Sequence, residues 1–262
     1  MEQKKLVAAL IAFAAGLSSK VAAAGYDVLN LPLGATANAR NNYELHMFVL
    51  WICFGIFVVV FGAMFYSIIK HRKSVGHKAE HFHENTTVEI IWTVIPFIII
   101  AVMAAKATGG LLEIRDTSNP DMTIKVTGHQ WQWKYDYLQD GVSFYSKLST
   151  PRDQIEANAV KGEHYVVEVD KEVVVPVNKK IRLLITSNDV IHGWYVPEFA
   201  VNQYGIPGFI KDTYFNVEKP GVYRGQCSQI CGKEHAYMPI VVRAVSEDEY
   251  KAWVAKTKAE QS

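Results

Sequence analysis

The sequence predicts a membrane α-helical hairpin of two transmembrane helices followed by an all-β domain, and three observations predict it. Residues 47–69 carry no charged side chain; at about 1.5 Å per residue they reach about 35 Å, enough to cross a bilayer core of about 30 Å. A second apolar run, residues 90–105, is bounded by Glu89 and Lys106, which a spanning helix can hold near its ends, with the lysine snorkelling outward. Beyond Leu112 the pattern changes to short β-type runs separated by Gly and Pro, the mark of an antiparallel sandwich or barrel.

The elements follow in chain order. Residues 1–24 hold Lys4 and Lys5, an apolar stretch at 6–17 and the ending Ala22-Ala23-Ala24. This is the layout of a cleaved signal peptide with the mature chain starting near Gly25, an uncleaved anchor being the alternative. The first spanning helix comes next. The connection after it carries Lys70, Arg72, Lys73 and Lys78, against Arg40 alone on the other side, so the positive-inside rule puts the hairpin tip in the cytoplasm and both flanks outside. Four histidines there, His71, His77, His81 and His83, are too loosely spaced for a metal site and read as a solvated loop.

The expected strands are residues 123–126, 130–137, 163–169, 173–175, 180–186, 214–217, 222–226 and 240–245. Asn119-Pro120, Gly141, Pro176, Pro207-Gly208 and Pro220-Gly221 punctuate them. Ser246 and Glu249 form a capping box that opens a last helix through Tyr250, Trp253 and Val254. The expected domains are therefore 1–24, 25–112 and 113–262.

Composition narrows the function. With a net charge of +1, 50% hydrophobic and 20% charged residues, the chain is too apolar for disorder and lacks the clustered basic charge of a nucleic-acid binder. The three cysteines are too few for a disulfide framework; Cys53 lies in an apolar run as a small hydrophobe, which leaves Cys227 and Cys231 to act together.

The strongest signal is Cys227-Ser-Gln-Ile-Cys231-Gly-Lys-Glu-His235-Ala-Tyr-Met238, two thiols, an imidazole and a thioether within one loop, with His192 as a further ligand upstream. Sulfur with imidazole suits copper. Tetrahedral zinc is the metallic alternative, and a lone disulfide would leave the histidines and the methionine unexplained. A blue single-copper site needs one cysteine, so the second thiol points to a bridged pair.

Together with Glu89-Ile90-Ile91-Trp92-Thr93, Gly128-His129-Gln130-Trp131-Gln132-Trp133, the stretch 189–197 and Ile206-Pro207-Gly208, this loop resembles subunit II of cytochrome c oxidase, the haem-copper terminal oxidase. The resemblance covers nearly the whole mature chain. It implies a Greek-key cupredoxin barrel with a binuclear CuA centre held by His192, Cys227, Cys231, His235, Met238 and the backbone carbonyl of Gln229. It also implies an electron-receiving exposed tryptophan, Trp131, a cytochrome c docking face including Gln130, Asp136, Asp170 and Asp189, and Glu89 at the mouth of a proton path. The family's magnesium, shared with subunit I, is held by a glutamate where this chain has Gln229, a neutral amide that a hard dication favours less; weaker magnesium retention is expected. Twenty acidic and eighteen basic residues after position 106 leave the domain near neutral, so attraction of a basic donor must come from local clusters. The bland readings are a core tryptophan, solvated carboxylates and an interfacial glutamate.

Implied partners are subunit I, further oxidase subunits and cytochrome c. The implied location is a bacterial inner membrane, with the copper domain and both termini periplasmic. Three rivals are weighed. A quinol-oxidase subunit would lack the copper ligands, and a nitrous-oxide-type reductase would need a second catalytic domain. A membrane-tethered copper carrier would exchange its metal without redox activity toward cytochrome c. The chain has no Cys-x-x-Cys-His haem attachment, so its electron donor is external.

Overall fold

The computed structural model describes residues 30–76, 78 and 83–261; the expected signal peptide and His77 and His81 lie outside them. The chain divides into two compact units, residues 44–116 and residues 30–43 with 117–261.

The first unit is helical. Helix α1, Ala37–Lys70, has 34 residues and α2, Thr86–Arg115, has 30; at 1.5 Å per residue both exceed a bilayer core of about 30 Å. Each starts before its apolar run because polar caps satisfy the first free N–H groups. The Thr36 hydroxyl accepts from Ala39 N at 3.1 Å, and the Asn85 side chain accepts from Val88 N at 3.2 Å. Lys106 of α2 does not extend alone: its Nζ stands 4.4 Å over the Phe48 ring of α1, a cation–π contact.

The second unit is two five-stranded sheets. One runs β3-β2-β1-β5-β8 and the other β4-β10-β9-β6-β7. The strands are β1 Met122–His129, β2 Gln132–Tyr137, β3 Val142–Ser146, β4 Val173–Pro176, β5 Ile181–Ser187, β6 His192–Val196, β7 Val201–Gly205, β8 Lys211–Phe215, β9 Gly221–Cys227 and β10 Pro239–Val245. Alternation drives them: β2 and β5 bury every second residue, and the inward set from both sheets makes one core that includes Ile124, Trp133, Tyr135, Leu183, Trp194, Phe215 and Ile240. The sheets are mixed and not purely antiparallel as expected, since β1 runs parallel to β5 and β10 parallel to β4.

Three sequence expectations are corrected. Residues 163–169 are not a strand: they turn, Val166 has φ 58°, and only Val169 bridges, to Leu148. The run looked extended because it is rich in valine, but a left-handed φ takes Val166 out of any ladder. Gln130 and Trp131 do not begin a strand; they form the two-residue tip of the β1–β2 hairpin, with His129 opposite Gln132. Strands β3, β6 and β7 were not foreseen.

The C-terminal helix α3, Glu247–Gln261, is capped as expected. Ser246 N donates to Glu249 Oε2 at 3.0 Å and Glu249 N donates to Ser246 Oγ at 3.3 Å. Its Trp253 lies 5.1 Å from the Tyr137 ring, and Tyr250 donates to Asp140 at 2.5 Å. Residues 35–40, which include the first turn of α1, lie on the β domain. Thr36 bridges Val217, Ala35 N donates to Glu198 O at 2.7 Å, and Arg40 grips both Glu218 oxygens at 3.0 and 2.6 Å.

Candidate metal centre

Three strands converge on one spot. β6 begins at His192, β9 ends at Cys227 and β10 starts at Pro239, directly after Met238. Trp194 of β6 pairs with Cys227 of β9, so the ladder itself brings the histidine's strand beside the cysteine. The loop between β9 and β10 then folds back: Ser228 N donates to Gly193 O at 3.0 Å and Cys227 N donates to Met238 O at 3.1 Å.

The ligand-bearing atoms of His192, Cys227 and Cys231 lie within 4.8 Å of one another, and all three residues are buried. The two sulfurs are 3.8 Å apart and Cys227 Sγ is 3.2 Å from the Gln229 carbonyl oxygen. His235 Nδ1 is 3.6 Å from Cys231 Sγ, on a short 3-10 turn at His235–Tyr237. Met238 is 1% exposed and belongs to the same core as both cysteines. The cluster thus gathers five of the six expected contacts by distance, with Met238 in the same buried core.

The histidine is prepared as a ligand. Its Nε2 lies 2.8 Å from Asp189 Oδ1, while its Nδ1 is buried with no hydrogen-bond partner. A buried nitrogen without a partner costs free energy unless something binds it. The soft donors around it suit copper, and a Cys₂His₂ set also fits zinc. Electrostatics point the same way. Burial works to raise the Cys227 thiol, but the neighbouring His192 ring, the backbone at Gly193 and Gln229 and the His235 ring outweigh it and bring it to about 7. Cys231 is pushed up, by burial and by the neighbouring Cys227. One thiol is therefore drawn toward ionisation and the other resists it, as expected of two sulfurs that share a site.

Two glycines make room. A Cβ at Gly128 would fall 2.7 Å from His192 Cδ2 and 2.9 Å from its Cγ, and one at Gly193 would fall 3.1 Å from Gln229 N. The imidazole is also held by Trp133, whose ring meets it edge-on at 5.9 Å. Gly128 lies within the Gly128–Trp133 motif, but its task has no local signature because the contact joins the two sheets.

Three of the other expected residues, Gln130, Trp131 and Asp189, contact the ligand residues or their loop. Trp131 is half-buried, not fully exposed; it reaches the centre through Gly232, where a Cβ would lie 3.1 Å from its Cζ2. The Gln130 amide donates to Cys231 O at 2.7 Å. Asp136 pairs with Lys134 at 3.0 Å and accepts from Ser143 at 2.6 Å, and Asp170 accepts from Lys147 N at 2.9 Å. Asp189 serves His192. Glu89 sits in the first turn of α2, where its Oε1 is 3.4 Å from Asn85 N, a capping geometry.

Comparison with known proteins is consistent over the length of the chain. Residues 122–245 match the family described as cytochrome c oxidase subunit II, periplasmic domain, and residues 25–108 match cytochrome c oxidase subunit II, transmembrane domain. Cytochrome c oxidase subunit 2 of Cereibacter sphaeroides is 34% identical over 238 residues, covering 86% of this chain and 78% of that protein. Its counterpart in Metridium senile is 37% identical over 203 residues, covering 76% and 79%. The crystal structure of the periplasmic domain of subunit II of cytochrome oxidase of Bradyrhizobium japonicum shares 39% identity and a TM-score of 0.50, covering 56% of this chain and 99% of that one.

Proposed function

Since the chain belongs to the cytochrome c oxidase subunit II family, and so is a membrane component of a haem-copper terminal oxidase, we propose that it is the subunit through which electrons from cytochrome c reach subunit I. His192, Cys227, Cys231, His235, Met238 and the Gln229 carbonyl would hold two copper ions. When bound, that pair supplies one-electron exchange with little nuclear rearrangement.

The protein's own residues do the rest. The two cysteine sulfurs, 3.8 Å apart on one loop, would both reach the centre and, with the imidazoles, supply the soft donors that copper favours. The strands under them exclude water, since Trp133, Trp194 and Met238 are 0 to 1% exposed, and a dry site strengthens the charge interactions inside it. Trp131, packed on Gly232 of the ligand loop, is the electron-receiving ring. Gln130, Asp136, Asp170 and Asp189 offer a docking face to a lysine-rich donor, an attraction that salt weakens. Glu89 marks the start of a proton path into subunit I, on the side that the basic loop assigns to the cytoplasm. The β domain and both termini are then periplasmic, in a bacterial inner membrane. Magnesium is a poor fit at Gln229, whose neutral amide replaces the charge a hard dication prefers.

The observation that carries this reading is the buried, unpartnered His192 Nδ1 beside two thiols. Copper quantitation with electron paramagnetic resonance on the purified protein tests it. Two coppers per chain sharing one unpaired electron are expected; one metal per chain, or a preference for zinc, would overturn it.

A further inference from the structure

The Asp189 carboxylate is spent on internal contacts. Its Oδ1 lies 2.8 Å from His192 Nε2 and accepts from Val190 N at 2.7 Å, while its Oδ2 accepts from Gln130 N at 2.7 Å. Ser187 braces the same turn: Asp189 N donates to its hydroxyl at 3.2 Å, and that hydroxyl lies 3.3 Å from Gly128 O. Gln130 in turn reaches the ligand loop, its amide donating to Cys231 O at 2.7 Å, and the adjacent Trp131 ring rests on Gly232.

We infer that Asp189 is a positioning residue that ties the Gln130–Trp131 hairpin tip and the His192 imidazole into one rigid unit. One oxygen holds the ring so that Nδ1, not Nε2, carries the free lone pair. The other oxygen clamps the tip that places Trp131 against the ligand loop. The two arms need two acceptor oxygens in one plane. An asparagine has one, so its NH₂ group would face a donor on one arm. A glutamate keeps the charge, but its extra methylene displaces both oxygens. This inference rests on the proposed function for what Trp131 and His192 carry, and it separates Asp189 from carboxylates that only attract the donor.

Electron uptake by the intact oxidase, with the donor at saturating concentration, tests the clamp. Asp189→Asn and Asp189→Glu should both slow it at least about tenfold, because misplacement of this order degrades a reaction geometry strongly. Asp136→Asn should only raise the half-saturating donor concentration, an effect that high salt abolishes. Full rescue by Asp189→Glu, or Asp189→Asn behaving as Asp136→Asn does, would overturn the inference. A second measurement needs neither copper nor a variant: nitrogen-15 spectroscopy of the histidine-labelled, metal-free full chain. His192 protonated at Nε2 is expected in the neutral ring, and protonation at Nδ1 would overturn the clamp. If the unmodified protein instead holds no copper pair, the proposed function fails while the tautomer result stands.

Discussion

Substituting Gly128 by alanine should cost the centre its metal while leaving the fold in place. Strand β1 is pinned at this residue on both sides, with Trp133 opposite it on β2 and Ser187 opposite it on β5, so the backbone cannot retreat. The new methyl would stand 2.7 Å from His192 Cδ2, against a comfortable carbon–carbon separation of about 3.5 Å or more. The imidazole must therefore move by about 0.8 Å, but it is fully buried and braced by Trp133 and Asp189. Metal sites tolerate ligand displacements of about 0.2 Å. Overpacking of this kind costs about 1 to 3 kcal/mol, which in a domain of this size lowers the melting temperature by roughly 2 to 12 °C. The assay is copper content and visible absorption after reconstitution, beside thermal unfolding of the metal-free chain. Gly221→Ala is the control, because its Cβ would meet nothing nearer than 3.4 Å. A Gly128→Ala protein with two coppers and an unchanged spectrum would refute the reasoning.

Four further outcomes are expected. Trp131→Ala should slow electron uptake and leave the copper spectrum unchanged, as read by stopped-flow reduction, since the ring packs on Gly232 of the ligand loop and offers no metal-ligating atom. Glu89→Ala should slow oxidase turnover without altering copper content; an unchanged rate would leave the residue as a helix cap alone. Ser246→Ala removes the hydroxyl that accepts from Glu249 N while leaving the bond from Ser246 N to Glu249, and should cost about 0.5 to 2 kcal/mol, measured by denaturant unfolding. The Asp212 carboxyl is held below its ordinary value by a hydrogen bond from Thr117 and by Arg182. A lowered folded value stabilises above the ordinary Asp value of 3.8 and is lost as pH falls through the lowered one. Asp212→Asn should remove that acid-side loss, an effect of at most about 1 kcal/mol for so exposed a pair, read from unfolding midpoints across the acid range.

The spans and the centre were legible because their signals are local. An uncharged run announces a helix, and Cys227, Cys231, His235 and Met238 sit within twelve residues, so any compact loop gathers them. Strands β5 and β9 were legible through alternation. What escaped was non-local. Nothing in residues 122–129 says that they run parallel to residues 181–187, and Gly128 gains its role only when the other sheet brings His192 against it. The Gln130–Trp131 tip hid because its turn lacks the glycine, asparagine or proline that usually marks one. Asp189 read as surface charge because its spacing from His192 acquires meaning only when the turn through Ser187 closes.

The contact of residues 35–40 with the β domain has a consequence for how the polypeptide matures. Thr36 hydrogen-bonds the Phe199 carbonyl and Arg40 grips Glu218, partners separated by 163 and 178 positions. The stretch made among the earliest must therefore wait, unsatisfied, until nearly all the rest has been synthesised. Closing so wide a loop is slow, because its entropy is lost before any contact rewards it. The edge formed by Val217 is thus a late seam, and shortening the chain just beyond Phe215 would strand the start of the first helix without its anchor.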